Sequence, residues 1–313
     1  IRNGIIALIG VIIPWIGGYG ISILFGYSGA SAIFIGTALT ATSIAITANV
    51  LQELNQLQTD AAKAIIGAAV IDDILSLLAL AISNEAATGS VSVLSIGFMT
   101  IKAVSFVIIG AAVGVLIISR FIEYVDETPF AGKYPEFTFI FAMMMAFMYG
   151  IFAEMVGLSA IVGAFIAGVS FNEIKLKQGH DLKEGAGYLQ IIFASIFFVS
   201  LGIMVDLKAV TPDIIIFLVA LTVIAVVTKL IGCGIPAYLC GMSMKDSLII
   251  GFGMAPRGEV AMIVALIGLQ EGLINQGIYV TIIIMSLLTT MLTPLVYRNC
   301  FFRDCKDGVN TSP

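Results

Sequence analysis

Long apolar runs, separated by short polar or Gly/Pro-rich breaks, fill almost the whole chain. The windows between breaks predict ten spans, at roughly residues 4–25, 29–52, 62–83, 92–119, 137–156, 158–171, 186–205, 212–239, 246–268 and 276–297. A run of about 20 apolar residues crosses the ~30 Å hydrocarbon layer as a helix. Strand-like alternation is absent, which favours spanning helices over a barrel. The sixth window, "GLSAIVGAFIAGVSF", is short and rich in Gly and Ala, a composition suited to close packing against neighbouring helices. The ninth contains "GFGMAPRGEVAMIVA", where Gly251, Gly253, Pro256 and Gly258 surround Arg257 and Glu259. Proline removes an amide donor and glycine loosens the helix, so this span is predicted to break near mid-membrane.

An even number of spans puts both ends on one side. Eleven cations fall there: Arg2, Lys63, Arg120, Lys133, Lys175, Lys177, Lys183, Lys245, Arg298, Arg303 and Lys306, against Lys208 alone in the opposite loops. The positive-inside bias makes the end-bearing side, and hence the C-terminus, cytoplasmic in a multi-pass membrane protein. Three cations remain inside spans. Lys102 lies close enough to one end of its long span to snorkel. Lys229 and Arg257 lie deeper.

Composition narrows the class. Of 313 residues, 59% are hydrophobic and 11% charged, and the mean hydropathy is +1.09, values that exclude a soluble globular domain. A net charge of −5 gives no electrostatic support to a nucleic-acid partner. Cys233, Cys240, Cys300 and Cys305 show no metal-ligand or redox spacing, and the first two read as small buried hydrophobes. The sequence starts at Ile1 and is apolar by Ile5, too abruptly for a signal peptide with a cleavage site, so an N-terminal truncation is expected.

The candidate chemistry lies in the few ionisable groups within spans: Asp72, Asp73, Lys229, Arg257 and Glu259, with Glu154 near the outer end of the fifth span. An Asp at the centre of a bilayer helix costs roughly 2.5 to 3.5 kcal/mol on insertion scales, so charges of opposite sign are expected to pair. Asp72 and Asp73 in "AAVIDDILSLLALAI" point about 100° apart on their helix. One can face a cation-binding cavity while the other meets a neighbouring helix. A carboxylate in a wet cavity holds a proton or a small hard cation but hardly both, because the proton cancels the charge that attracts the ion. Pairing of Lys229 with Asp72 would be either a static bridge or one that an arriving cation weakens. The second span clusters Thr40, Thr42, Ser43 and Thr47 in "TALTATSIAITANV". Those hydroxyls suit bonding to their own helix, capping freed carbonyls or ligating a cation. Half-helix ends at a break carry partial charges that Arg257 and Glu259 are suited to offset.

The ordered set "TATS" at 40–43, "DD" at 72–73, "FFVSLGIMVDL" at 197–207, Lys229 and "PRGE" at 256–259 resembles the cation:proton antiporter superfamily, most closely bacterial sodium/proton exchangers with an Asp-Asp pair. The resemblance spans nearly the whole chain. It implies an all-α polytopic membrane protein with an inverted-repeat antiporter fold, about ten transmembrane spans in this chain, and two discontinuous helices, the second and ninth, that cross. It assigns residues 1–83 and 206–297 to the two halves of an ion-translocating core, 84–120 to a linking helix, 121–205 to a dimerisation domain and 298–313 to a cytoplasmic tail. About three N-terminal helices of such antiporters are missing from this sequence. By that similarity Asp73 looks like the essential ion and proton carrier, and Asp72 like its partner that also pairs with Lys229. Thr42 and Ser43 look like cation-site neighbours, and Arg257 and Glu259 match the second crossing.

The implied function is exchange of Na+ or Li+ for H+ by alternating access, needing no cofactor and working as a homodimer. Asp72, where electroneutral relatives carry Asn, implies an electrogenic cycle. Potassium/proton exchange is the first alternative. An intramembrane aspartyl protease is a remote one, since adjacent positions turn the two carboxylates apart rather than toward one water. A non-transporting gradient sensor is a further alternative, whose usual mark, an attached signalling domain, is absent from this stretch of sequence. Glu154 reads as solvated at the interface or as lining an outer funnel, and His180 as a solvated loop residue or a contributor to pH sensing.

Overall fold

A computed structural model of the chain describes residues 2–87, 93–134, 136–156, 158, 160–171, 174, 176–177 and 182–302. Among the described residues the ordered structure is entirely helical. In chain order the α-helices are α1 (Arg2–Leu24), α2 (Gly29–Ala38), α3 (Ile44–Glu53), α4 (Asp60–Ala87), α5 (Val93–Val113), α6 (Ser119–Asp126), α7 (Pro129–Lys133), α8 (Glu136–Met155), α9 (Ala160–Phe171), α10 (Leu182–Ile203), α11 (Pro212–Lys229), α12 (Ile235–Leu239), α13 (Met244–Gly253), α14 (Glu259–Gln270) and α15 (Gln276–Val296). Among the described residues, seven helical stretches are long and apolar enough to cross a membrane, and Gly29–Ala38, Val162–Phe171 and Glu259–Gln270 are shorter apolar helices. The protein is therefore a polytopic membrane protein.

Every apolar window contains helix, but three are not single spanning helices. Window 29–52 is α2 followed by α3, and window 246–268 is α13 followed by α14. Each of these four has 10 or 12 residues, a rise of about 15–18 Å, half the hydrocarbon thickness. The sixth window holds α9, with 12 residues. In contrast, window 212–239 is continuous from α11 through a π-helical turn, Leu230–Gly234, into α12. That wide turn lies between Lys229 and Pro236, whose missing amide and bulky ring interrupt the α-helical ladder.

The chain forms two compact units, Ile1–Gly89 with Met204–Pro313, and Ser90–Ile203. In the first, α1 packs on α2, α4 and α11, α13 packs on α4, and α15 packs on α11 and α14. Small residues permit this: α4 presents Ala61, Ala62, Ala64, Ala68 and Ala69 to a core with Ile6, Leu51, Cys233, Ile250 and Tyr297. At the crossing of α1 with α2, a Cβ on Gly18 would fall 2.9 Å from the Cα of Gly36. Helix starts are fixed by local caps. Ser243 accepts from the amide of Asp246 at 3.0 Å, and Asn275 from that of Ile278 at 2.9 Å.

In the second unit, α5 continues through a π-helical turn, Gly114–Ile118, into α6, and α8 and α9 pack closely. The Tyr149 hydroxyl donates to Gly110 O at 2.9 Å, tying α8 to α5. The buried Asp126 accepts from the Thr138 hydroxyl at 3.2 Å and from the Lys177 amide at 2.6 Å. The Lys177 ammonium also bonds Glu127 at 2.6 Å, and that hydrogen bond and charge raise its pKa. Glu154 is exposed at the end of α8, and Lys102 is partly exposed on α5. His180 lies outside the described residues.

Candidate functional site

The two helix breaks, residues 39–43 and 254–258, meet in the first unit and bond to each other. The Ser43 amide donates to Pro256 O at 3.0 Å. The Arg257 guanidinium donates from Nη1 to Ala41 O at 2.8 Å. The Thr42 hydroxyl donates to Met254 O at 3.3 Å, and the Thr47 hydroxyl to Gly253 O at 2.8 Å. Pro256 and the nearby glycines end α13 locally, whereas "LTATS" contains neither residue, so its break depends on these cross-bonds. Close approach is possible because Gly258 has no side chain: a Cβ there would lie 2.5 Å from the Cβ of Ser43.

Freed carbonyls at the end of a helix need donors. The last residues of α13 receive them from two sides. Thr42 and Thr47 of the first broken pair serve Met254 and Gly253, while Thr293 of α15 serves Phe252 O at 2.9 Å. One turn earlier, the Tyr297 hydroxyl donates to Ile249 O at 2.6 Å. Thr42 and Thr47 therefore cap carbonyls rather than bonding to their own helix. A hydroxyl that donates in this way keeps its lone pairs for a cation.

On α4, beside the crossing, the two carboxylates have different surroundings. Asp72 is fully buried, and its Oδ1 accepts from the Lys229 ammonium at 2.8 Å, with both side chains at 0% exposure. Its Oδ2 is buried without a hydrogen-bond partner among the described residues. Asp73 is partly exposed and makes no hydrogen bond or ion pair among the described residues. It lies within electrostatic reach of Asp72, Glu259 and Lys229. The 100° turn between neighbours thus gives one carboxylate to α11 and leaves the other unengaged. The unengaged one can take up a proton or a hard cation.

The remaining charges are arranged differently from the expected mutual pairing. Among the described residues, Asp72–Lys229 is the one ion pair between intramembrane groups. Arg257, fully buried, contacts no carboxylate directly and instead bonds main-chain oxygens, with Nη2 reaching Ala225 O on α11 at 3.2 Å. Ala41 O, freed by the break, carries the negative end of a peptide dipole and can hold a guanidinium in place of an acid, and Ala225 O on α11 supplies a second main-chain acceptor. Glu259 begins α14, where the helix end is partly positive, and accepts from the Ser43 hydroxyl at 3.3 Å. Thr42, Ser43, Arg257 and Glu259 are thus joined by bonds across the crossing, with Asp72, Asp73 and Lys229 alongside.

Three features escaped the reading of the sequence. Gly10 of α1 makes room for the pair, since a Cβ there would lie 2.5 Å from Cys233 Sγ and 3.9 Å from Lys229 Nζ. Thr289 and Thr290 hold the Arg257 peptide: its amide donates to Thr289 Oγ1 at 3.2 Å, and Thr290 Oγ1 donates to its carbonyl at 2.7 Å. Thr37, on α2, accepts from Trp15 Nε1 at 3.2 Å and lies 2.5 Å from the Ser83 hydroxyl. The spacing of Gly10, Gly17 and Gly18 in α1 is the signal that points to a close helix approach; the threonines gave none.

A family model described as sodium/hydrogen exchanger, transmembrane, matches residues 3–298. The chain is similar to the Na(+)/H(+)-K(+) antiporter GerN of Bacillus cereus, with 35% identity over 300 residues, covering 95% of this chain and 74% of that protein. It is 34% identical over 295 residues to a Na(+)/H(+) antiporter of Enterococcus hirae, covering 94% and 75% respectively. With the high-affinity Na(+)/H(+) antiporter NhaS3 of Synechocystis sp. it shares 33% identity over 308 residues, 96% of this chain and 65% of that one.

Proposed function

The chain belongs to the transmembrane sodium/hydrogen exchanger family, and on that premise we propose that it exchanges Na+, or Li+, for H+ at Asp73 and Asp72. Family membership makes it a transporter, not an enzyme, and removes the aspartyl protease alternative. One observation carries the assignment of the site. Asp73 is partly exposed and, among the described residues, unbonded, next to a buried Asp72–Lys229 pair, where two broken helices meet.

In the proposed cycle, Na+ enters at Asp73 only after its proton has left, with Thr42 and Ser43 as neighbouring oxygens. The arriving cation competes with Lys229 for Asp72, so the lysine proton becomes a second exchangeable charge. Two protons against one cation make the cycle electrogenic. Arg257 and Glu259 stay in place, offsetting the partial charges of the crossing. The ten spans of the chain form inverted repeats in which residues 1–83 and 206–297 are the moving core, 84–120 link, and 121–205 supply a homodimer contact. The C-terminus is cytoplasmic in the inner membrane, as the Lys/Arg distribution supports. No cofactor takes part, because the proton gradient drives the exchange.

The test is Asp73→Asn in the full-length protein, reconstituted in vesicles. Loss of sodium-dependent proton movement is expected, and unchanged exchange overturns the assignment. A potassium reading is favoured by one observation, the naming of the Bacillus cereus relative as a Na(+)/H(+)-K(+) antiporter. Running the same assay with Na+, Li+ and K+ decides between them.

A further inference from the structure

Arg257 is the largest fully buried side chain among the described residues, yet it sits in the non-helical segment 254–258, where no helix holds its backbone. Its peptide is held instead by two adjacent residues of α15. The amide donates to Thr289 Oγ1 at 3.2 Å, and the carbonyl accepts from Thr290 Oγ1 at 2.7 Å. Thr289 spends its own proton on Ser286 O at 3.1 Å, which leaves its lone pairs facing the Arg257 amide. Neighbours on a helix point about 100° apart, so the pair can serve both groups only when the segment crosses α15 in one orientation. From that fixed backbone the guanidinium reaches Ala41 O, next to Thr42 and Ser43, and Ala225 O, one turn before Lys229.

We propose that Thr289 and Thr290 are positioning residues of the exchange site: by clamping both sides of the Arg257 peptide they fix where the guanidinium holds the 39–43 segment and the Lys229 turn. The inference rests on the exchange reading given above. Other hydroxyls of α15 do a different job. Thr281 is equally buried but donates to Gly277 O within its own helix.

The experiment compares sodium-dependent proton movement of the full-length protein in vesicles for wild type, T289V, T290V, T290S and T281V. Valine keeps the shape and removes the hydroxyl. T289V and T290V are expected to raise the sodium KM about tenfold, the scale of one lost buried hydrogen bond. T290S, which keeps the donor, and T281V are expected to retain the wild-type KM. A purely structural role would lower the amount of inserted protein and hence the maximal rate, at unchanged KM. A wild-type KM in both valine variants overturns the proposal, as does an equal shift in T281V. Should T290V not insert, T290A carries the same expectation. Failure of every Thr290 variant to insert, T290S included, overturns the proposal by assigning the hydroxyl to folding alone. Absence of sodium-dependent exchange in wild type and T281V would instead refute the exchange reading.

Discussion

Lys229→Met removes the only counter-charge that Asp72 touches among the described residues. At 2.8 Å and 0% exposure on both sides, unit charges attract by about 6 kcal/mol at an effective dielectric constant of ~20. Taking each ion out of water costs several kcal/mol, so the pair as a whole contributes little net stability. Breaking it is another matter, because one buried charge is left without compensation, at a cost of about 3–5 kcal/mol. Asp72 has no substitute bond to draw on, since its Oδ2 lacks a partner already. Lys229→Met and Asp72→Asn should therefore each destabilise by about 3–5 kcal/mol, while the double variant loses less than either single. Equilibrium unfolding in mixed detergent micelles, run as a double-mutant cycle, measures all three. Additive losses, with the double variant near the sum of the singles, would refute the claim that these groups neutralise each other.

Thr47→Val leaves the buried Gly253 carbonyl without its donor and should cost about 1–3 kcal/mol in the same unfolding assay. Thr222→Val, which loses only a bond within its own helix, should stay within about 0.5 kcal/mol of wild type. Gly258→Ala drives a methyl group to 2.5 Å from the Cβ of Ser43. It should destabilise by about 1–3 kcal/mol and, by pushing Ser43 from Glu259, depress exchange in vesicles more than an alanine placed within α14.

What the sequence revealed depended on whether the cause was local. The break between α13 and α14 was readable because Gly253, Pro256 and Gly258 end a helix by their own backbone chemistry. The break between α2 and α3 has no such residues and was available only through family resemblance. Its causes lie more than 200 residues away, in Pro256 O and the Arg257 guanidinium. The Asp72–Lys229 contact was readable from scarcity, because a nearly uncharged helical core leaves few partners for a buried acid. Arg257 misled for the same reason. Charge counting assigns it an acid, whereas Ala41 O is free to accept only where the α2–α3 helix breaks, and Ala225 O is reached only because α11 packs alongside. Thr289, Thr290 and Thr293 were invisible because a threonine in an apolar helix ordinarily bonds its own turn.

The central claim is that a cation and protons compete for the same carboxylates. It is tested most directly by adding Na+ to the purified full-length protein in weakly buffered detergent and recording proton release. The account predicts release in wild type, larger where the carboxylates start protonated, and none in Asp73→Asn. Sodium binding without proton release, or release undiminished in Asp73→Asn, would contradict it.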